Sequence, residues 1–271
     1  MNNRRTFLWH FYMVLFVAYL IVPLIIMAGA SFNDSKLPSV YPWKGWTDRW
    51  FVDLWNDRRM WNAFRNSILV AIAVAAISVP IGTAAAILVN SISGRVRSVL
   101  YGIMVAPILA PGAVIGISTI LFWNKLSVPP GLHMSTLGQV SFIAAFVMLL
   151  VLARLQSFDP ALEEAALDLG ATHPQVMRRI LLPHLYPALG AGAAIAFFQS
   201  IENFNVTLFT RGTSDTLTVY VFSKVRSGIT PTINALATLL ILMTLIAAVW
   251  YEISRRRRAA RERALAAPAD E

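Results

Sequence analysis

The chain has 271 residues, 57% hydrophobic and 14% charged, with a formal net charge of +9 and a mean hydropathy of +0.61. Six stretches of at least 22 residues carry no charge: 6–33, 66–94, 98–124, 126–153, 180–201 and 227–251. A soluble helix must show water a polar face, whereas roughly 20 apolar residues span a bilayer core about 30 Å thick, so a soluble fold is excluded. A transmembrane β-barrel is excluded too, because its strands alternate over only about ten residues. What remains is an all-α polytopic membrane protein with six expected transmembrane helices. They leave no length for a separate soluble domain, so 1–271 reads as one transmembrane domain.

A pI near 10.3 is compatible with nucleic-acid binding. Six of the 23 basic residues, however, follow the last apolar run: Arg255, Arg256, Arg257, Arg258, Arg261 and Arg263. That cluster reads as an anchor on the anionic inner leaflet, and no nucleic-acid partner is expected. With Arg4 and Arg5 at the other end, it places both termini in the cytoplasm. The absence of cysteine excludes disulfides, thiolate metal sites and a thiol nucleophile.

In chain order, span 1 covers about 9–30, with Pro23 inside it. Its apolar core is longer than a signal-peptide h-region, so it is expected to stay uncleaved. The following polar segment mixes Trp43, Trp46, Trp50, Trp55 and Trp61 with charged residues. Two readings stand: a helix in the lipid headgroup layer, or contact with an external partner. Span 2 covers about 68–89 and span 3 about 99–123. Span 3 holds Pro107, Pro111 and a Gly112-x-x-x-Gly116 spacing that lets helices approach closely. Its prolines leave carbonyls free, which suits either a solute pathway or a structural kink. Span 4 covers about 137–155. Span 5 covers about 186–204, with a small-residue face of Gly190, Gly192, Ala193 and Ala196. Span 6 covers about 233–251.

Between spans 4 and 5, residues 156–184 read as two short helices. Asp159 is a plausible N-cap with Pro160 at the first helical position, and Gly170 a C-terminal stop. Thr172 with Gln175 forms a capping box for the second helix, which Pro183 should end. Glu164 and Asp168 share one face of the first helix, and Leu162, Ala165, Ala166 and Leu169 supply an apolar one. The loop looks like a docking knob.

Glu164-Ala165-Ala166, Gly170, and Ile180-x-Leu182-Pro183, in this spacing, resemble the EAA loop of permease subunits of binding-protein-dependent ABC importers. Asn66-Ser67, the proline pair of span 3, Leu217–Tyr220, Gly228–Pro231 and Asn234-Ala235 resemble the spermidine/putrescine-type permeases in particular. The resemblance implies a type I importer permease fold in a bacterial inner membrane. It also implies a second permease subunit, a paralogue in most such systems, two ATPase subunits and an external solute-binding protein. The loop would be the coupling element: Glu164 would contact the ATPase, Ala165 and Ala166 would let the helix seat closely, and Asp168, Gly170, Ile180 and Pro183 complete the set.

No chemistry of the chain's own is visible. There is no phosphate-cradling G-x-x-x-x-G-K-[ST] loop. His10, His133, His173 and His184 show no ligand spacing, so neither a metal site nor a bound cofactor is expected. ATP and its magnesium would belong to the partner ATPase.

Glu202 is an acid at the end of an apolar span, followed by Asn203 and Asn205. Such carboxylates are costly in a membrane and are functional candidates, here for a cationic group on the solute. The competing reading places Glu202 at the interface, paired with Arg211 or lipid headgroups. With Pro107 and Pro111 these residues form the expected substrate path. The resembled permeases usually carry paired acids where this chain has Glu202-Asn203, and commonly an acid where it has Gly112. A small amine-bearing solute is therefore expected, either a polyamine or a zwitterion such as an amino acid derivative or opine. A stand-alone secondary transporter is the reading from another class.

Overall fold

A computed structural model describes residues 3–266, with side chains described over 6–257. The side chains of Arg4, Arg5, Arg258, Arg261 and Arg263 lie outside that range, and with them part of the charge pattern read from the sequence. Among the described residues the secondary structure is helical, apart from one isolated bridge between Asn33 and Trp46. Five unbroken helices are long and apolar enough to cross a membrane, and a sixth crossing is available from a bent pair.

The chain divides into two compact bodies, residues 1–58 with 223–271, and residues 59–222. In the first, α1 (Asn3–Ala30) packs beside α12 (Pro231–Ala266), where Thr238 Oγ1 donates to Ser31 Oγ at 3.4 Å. The side chains of α1 are exposed over nearly its whole length, as suits a helix whose solvent is lipid. Helix α12 continues well beyond the expected span end at 251.

Between α1 and α2 (Arg49–Asn56) the chain folds around the buried side chain of Asn33, with Ser31 and Ser35 also buried. Its Nδ2 donates to Ser39 O at 2.9 Å and Pro42 O at 3.1 Å, and its Oδ1 accepts the Lys44 N–H at 2.8 Å. Trp50 Nε1 donates to the Asn33 carbonyl at 2.9 Å. Phe32 stacks on Trp46 with ring centroids 4.7 Å apart, and the Arg49 guanidinium lies 4.2 Å over the Trp50 ring. Trp50 and Leu54 are buried, whereas Trp46 and Trp55 are exposed.

The second body is built on α6 (Leu132–Leu155), whose inward face supplies Ile143, Val147, Met148 and Val151. Against it pack Val70, Val74 and Val89 of α3 (Arg58–Ser91) and Leu185, Ala188 and Ala196 of α9 (Leu182–Glu202). A Cβ at Gly82 would lie 2.6 Å from the Ala144 carbonyl, so only glycine lets α3 come this close to the α6 backbone. Helix α3 starts at Arg58 rather than at 68. Its Asn66 Nδ2 donates to Asp215 O at 2.9 Å, and Ser67 Oγ accepts the Leu217 N–H at 2.8 Å.

One sequence expectation is sharpened here and one corrected. Span 3 is broken at its proline pair into α4 (Gly94–Leu109) and α5 (Gly112–Lys125), bent by 103°. Pro111 bars the preceding Ala110 from helical geometry, and Ala110 is extended (φ −77°, ψ 134°). Pro183 does not end a helix. From α8 (His173–Val176) the chain runs through a π-helical turn, Met177–Leu181, directly into α9. Proline in an α-helix clashes with the carbonyl four residues before it. The wider turn, closed by the Leu182 N–H on Met177 O, resets the register just ahead of Pro183.

Candidate functional site

The loop between α6 and α9 carries α7 (Ala161–Asp168). Its start is one residue later than expected: Pro160 takes the cap position, and Asp159 Oδ1 accepts the Ala161 N–H at 3.0 Å. Gly170 has φ +83°, a left-handed conformation that side chains resist, and this stops the helix. Beyond it the Thr172 N–H donates to Gln175 Oε1 at 2.8 Å, which starts α8. Glu164, Ala165, Asp168 and Gly170 are exposed, and Ala166 is half-buried. Leu162 is 54% exposed and Leu169 89% exposed, an apolar face left uncovered among the described residues. Ile180 is half-buried in the π turn, and Pro183 is exposed at the start of α9.

A second group of residues gathers where two helices break. Helix α9 ends at Glu202, and after Asn203 the chain restarts as α10 (Asn205–Thr210). Asn203 Oδ1 accepts the Val206 N–H at 3.1 Å, so its side chain caps α10. Helix α10 lies against α5. A Cβ at Gly112 would be 2.9 Å from Asn205 Cβ, and one at Gly116 would be 3.1 Å from the Val206 carbonyl. The two glycines four apart thus let α5 and α10 touch. The structure brings Asn205 to the α4–α5 break beside Pro111. Glu202 and Asn205 are exposed, Pro107 is half-buried, and Pro111 is exposed.

Arg211 does not pair with Glu202. It is ion-paired with Asp215, which also takes Arg59 at 2.7 Å. That part of the interfacial reading of Glu202 is overturned. The reason is local: Asp215 lies four residues from Arg211 and is nearly buried beside it.

Sequence reasoning missed the side chain that holds the α9–α10 break. Gln139 of α6 is fully buried. Its Oε1 accepts Ser200 Oγ at 2.5 Å, and its Nε2 donates to Thr207 Oγ1 at 2.8 Å. Thr210 Oγ1 donates to Ser135 Oγ at 2.9 Å one turn further on. The only signal was an amide in the middle of a charge-free span, where a polar group must find a partner helix.

The family model described as binding-protein-dependent transport system inner membrane component matches residues 78–260. The chain belongs to that family. The permease is 30% identical to the spermidine/putrescine transport system permease protein PotC of Escherichia coli (strain K12) over 246 residues, 90% of this chain and 92% of that one. To the putrescine transport system permease protein PotI of the same organism it is 35% identical over 250 residues, 88% and 87% of the two chains. In fold it is similar to a bacterial ABC transporter involved in the import of the acidic polysaccharide alginate, with a TM-score of 0.72 at 18% identity, covering 94% and 96%. The MetNI methionine ABC transporter in an inward-facing conformation gives a TM-score of 0.55 at 20% identity, covering 74% and 94%. The permease is a multi-pass membrane subunit of an ABC transport system and not an enzyme.

Proposed function

We propose that the permease moves a small amine-bearing solute from an external binding protein into the cytoplasm, driven by two ATPase subunits that seat on α7. The observation carrying this reading is the exposed α7 with its EAA residues, ended by a left-handed Gly170 and presenting Leu162 and Leu169 uncovered. Exposed apolar patches of this kind mark interaction sites. Both termini and the α7 loop then lie in the cytoplasm, and a second permease subunit completes the path. ATP and its magnesium are held by the ATPase chains. Closure of the ATPases is passed on as a rigid movement of the permeases, giving alternating access.

The test is reconstitution with the ATPase and binding protein. Glu164→Lys and Gly170→Val should abolish uptake and loosen ATPase co-purification while membrane insertion is retained. Unchanged uptake in both variants sinks the assignment.

The names of the relatives support a polyamine. A second reading, a zwitterion with a single amino group, is favoured by one observation. Gly112 is packed on Asn205 with no room for a side chain, which leaves Glu202 as the acid at the helix breaks. Thermal-shift screening of the binding protein separates the two: putrescine and spermidine should stabilise it under the first, and amino acid derivatives or opines under the second. Stabilisation by a sugar or inorganic anion, with no response to any amine, refutes both.

A further inference from the structure

The α7–α8 loop joins its two flanking spans through unequal connections. Towards α9 the backbone is continuous helix, interrupted only by the π turn at Met177–Leu181. Towards α6 it is the short non-helical link from Gln156 to Pro160. A push on α8 therefore reaches α9 through helical backbone and α6 only through the 156–160 link, while α7 passes its push to α8 across the non-helical residues 169–172. Yet α6 carries Gln139, which holds Ser200 on one side of the α9–α10 break and Thr207 on the other. If α9 moved without α6, that bracket would shear.

One set of contacts bypasses both connections. Arg154, before the link, donates from Nε to the His184 carbonyl at 3.1 Å. His184, after the π turn, places its Nε2 at 3.3 Å from the Arg154 carbonyl. Ser157 Oγ donates to the same carbonyl at 2.8 Å, and Phe158 stands edge-on to the His184 ring with centroids 5.2 Å apart. Two residues 30 apart thus exchange contacts across the mouth of the loop, each reaching for the other's backbone.

We propose that Arg154 and His184 form a clasp that makes α6 and α9 take up the displacement of the α7–α8 loop as one body, with Arg154 the positioning residue. This rests on the coupling role of α7 set out above. The clasp uses the Arg154 Nε–H and not the positive charge as such. Glutamine places an N–H donor at the same atom position, attached to Cδ, and methionine matches the length without a donor. Arg154→Gln should therefore preserve the function, and Arg154→Met should lose it. His184→Phe keeps the ring against Phe158 and removes only the Nε2 contact, so its effect should be smaller.

The experiment uses the full complex in nanodiscs. The natural chain has no cysteine, so spin labels at Ala153→Cys on α6 and Ala191→Cys on α9, both exposed, report one distance. In the parent this distance should be the same at rest and after trapping with ATP and vanadate. In Arg154→Met it should shift or broaden on trapping, and in Arg154→Gln it should stay narrow. Stimulation of ATP hydrolysis by the purified binding protein should fall about tenfold in Arg154→Met, what losing one hydrogen bond does to a two-state balance. ATPase co-purification should stay at the parent level in all variants. An unchanged distance and unchanged stimulation in Arg154→Met, with the ATPase still bound, overturn the clasp alone. Equal losses in Arg154→Met and Arg154→Gln overturn it as well, because charge would then be what matters. If the ATPase does not associate with the unsubstituted permease, the coupling reading falls and the clasp with it. His184→Phe gives an independent check should Arg154→Met fail to insert: a narrow distance and full stimulation there count against the clasp.

Discussion

Residues 31–56 and residues 156–172 are both short polar segments joining apolar helices, yet they are stabilised in opposite ways. The first is closed on itself. Asn33 is buried, bonds to the backbone at Ser39, Pro42 and Lys44, and receives Trp50, while Phe32 and Trp46 stack beside it. The second keeps local backbone order through Gly170 and the Thr172–Gln175 bond, but leaves Leu162 and Leu169 uncovered. A segment tied to a buried polar hub and a buried tryptophan of its own needs no partner to be ordered, even with Tyr41, Trp46 and Trp55 exposed on its surface. A segment ordered only by its local backbone, with no buried hub, is shaped in advance for something else to cover.

The contrast can be broken most severely at Asn33. Asn33→Ala removes the partner of three part-buried backbone groups, each bond worth about 1 kcal/mol. Local unfolding of 31–56 should become easier by about 3 kcal/mol, read as faster hydrogen exchange at the Thr47 amide, which bonds to Phe32 O at 2.9 Å. If that amide stays protected, the segment is held by its aromatic stack instead.

Gly170→Ala tests the second segment more gently. A side chain at φ +83° costs roughly 1–2 kcal/mol, and the loss should appear as faster exchange at the Ala171 amide, bonded to Ala166 O at 3.0 Å. The Thr47 amide should not respond.

The smallest effect on the fold is expected from Leu169→Ser. An exposed site changes stability by less than about 0.5 kcal/mol, so the melting temperature in detergent should hold. ATPase affinity should nevertheless fall about tenfold, the consequence of losing one leucine's burial at an interface. A drop in melting temperature with unchanged affinity would reverse the reading of the two segments.

What was legible in the sequence was local. The Thr172–Gln175 cap and the Gly170 stop depend on residues three or four apart, and both are present in the structure. The proline pair at 107 and 111 announced an interruption, but the 103° angle depends on how α5 lies against α10, which no local pattern states. Pro183 was misread because a helix can widen into a π turn and absorb a proline. The Asn33 hub and the Gln139 bracket escaped notice for a common reason. Their partners lie 6 to 17 and 61 to 68 residues away, and an isolated asparagine or glutamine does not declare which carbonyl or hydroxyl it will meet. Asp215 likewise took the arginine that the competing reading of Glu202 had offered it, because burial beside Arg211 outweighed a more distant pairing.

The close approach at Gly82 has a bearing on how the molecule is made. The groove at Gly82 receives the backbone of Ala144, a residue not yet synthesised when α3 leaves the ribosome. Until α6 arrives, α3 must wait in the bilayer with lipid filling that groove. Helix α9 comes later still and is the least apolar of the five unbroken spans. It can be so because α6 already offers it a surface. The order of translation thus sets a schedule in which early helices must satisfy the membrane alone and a later one can lean on what is there. A bulky residue at position 82 should leave α3 inserted and its packing on α6 stalled, a defect of timing in biogenesis as much as of packing.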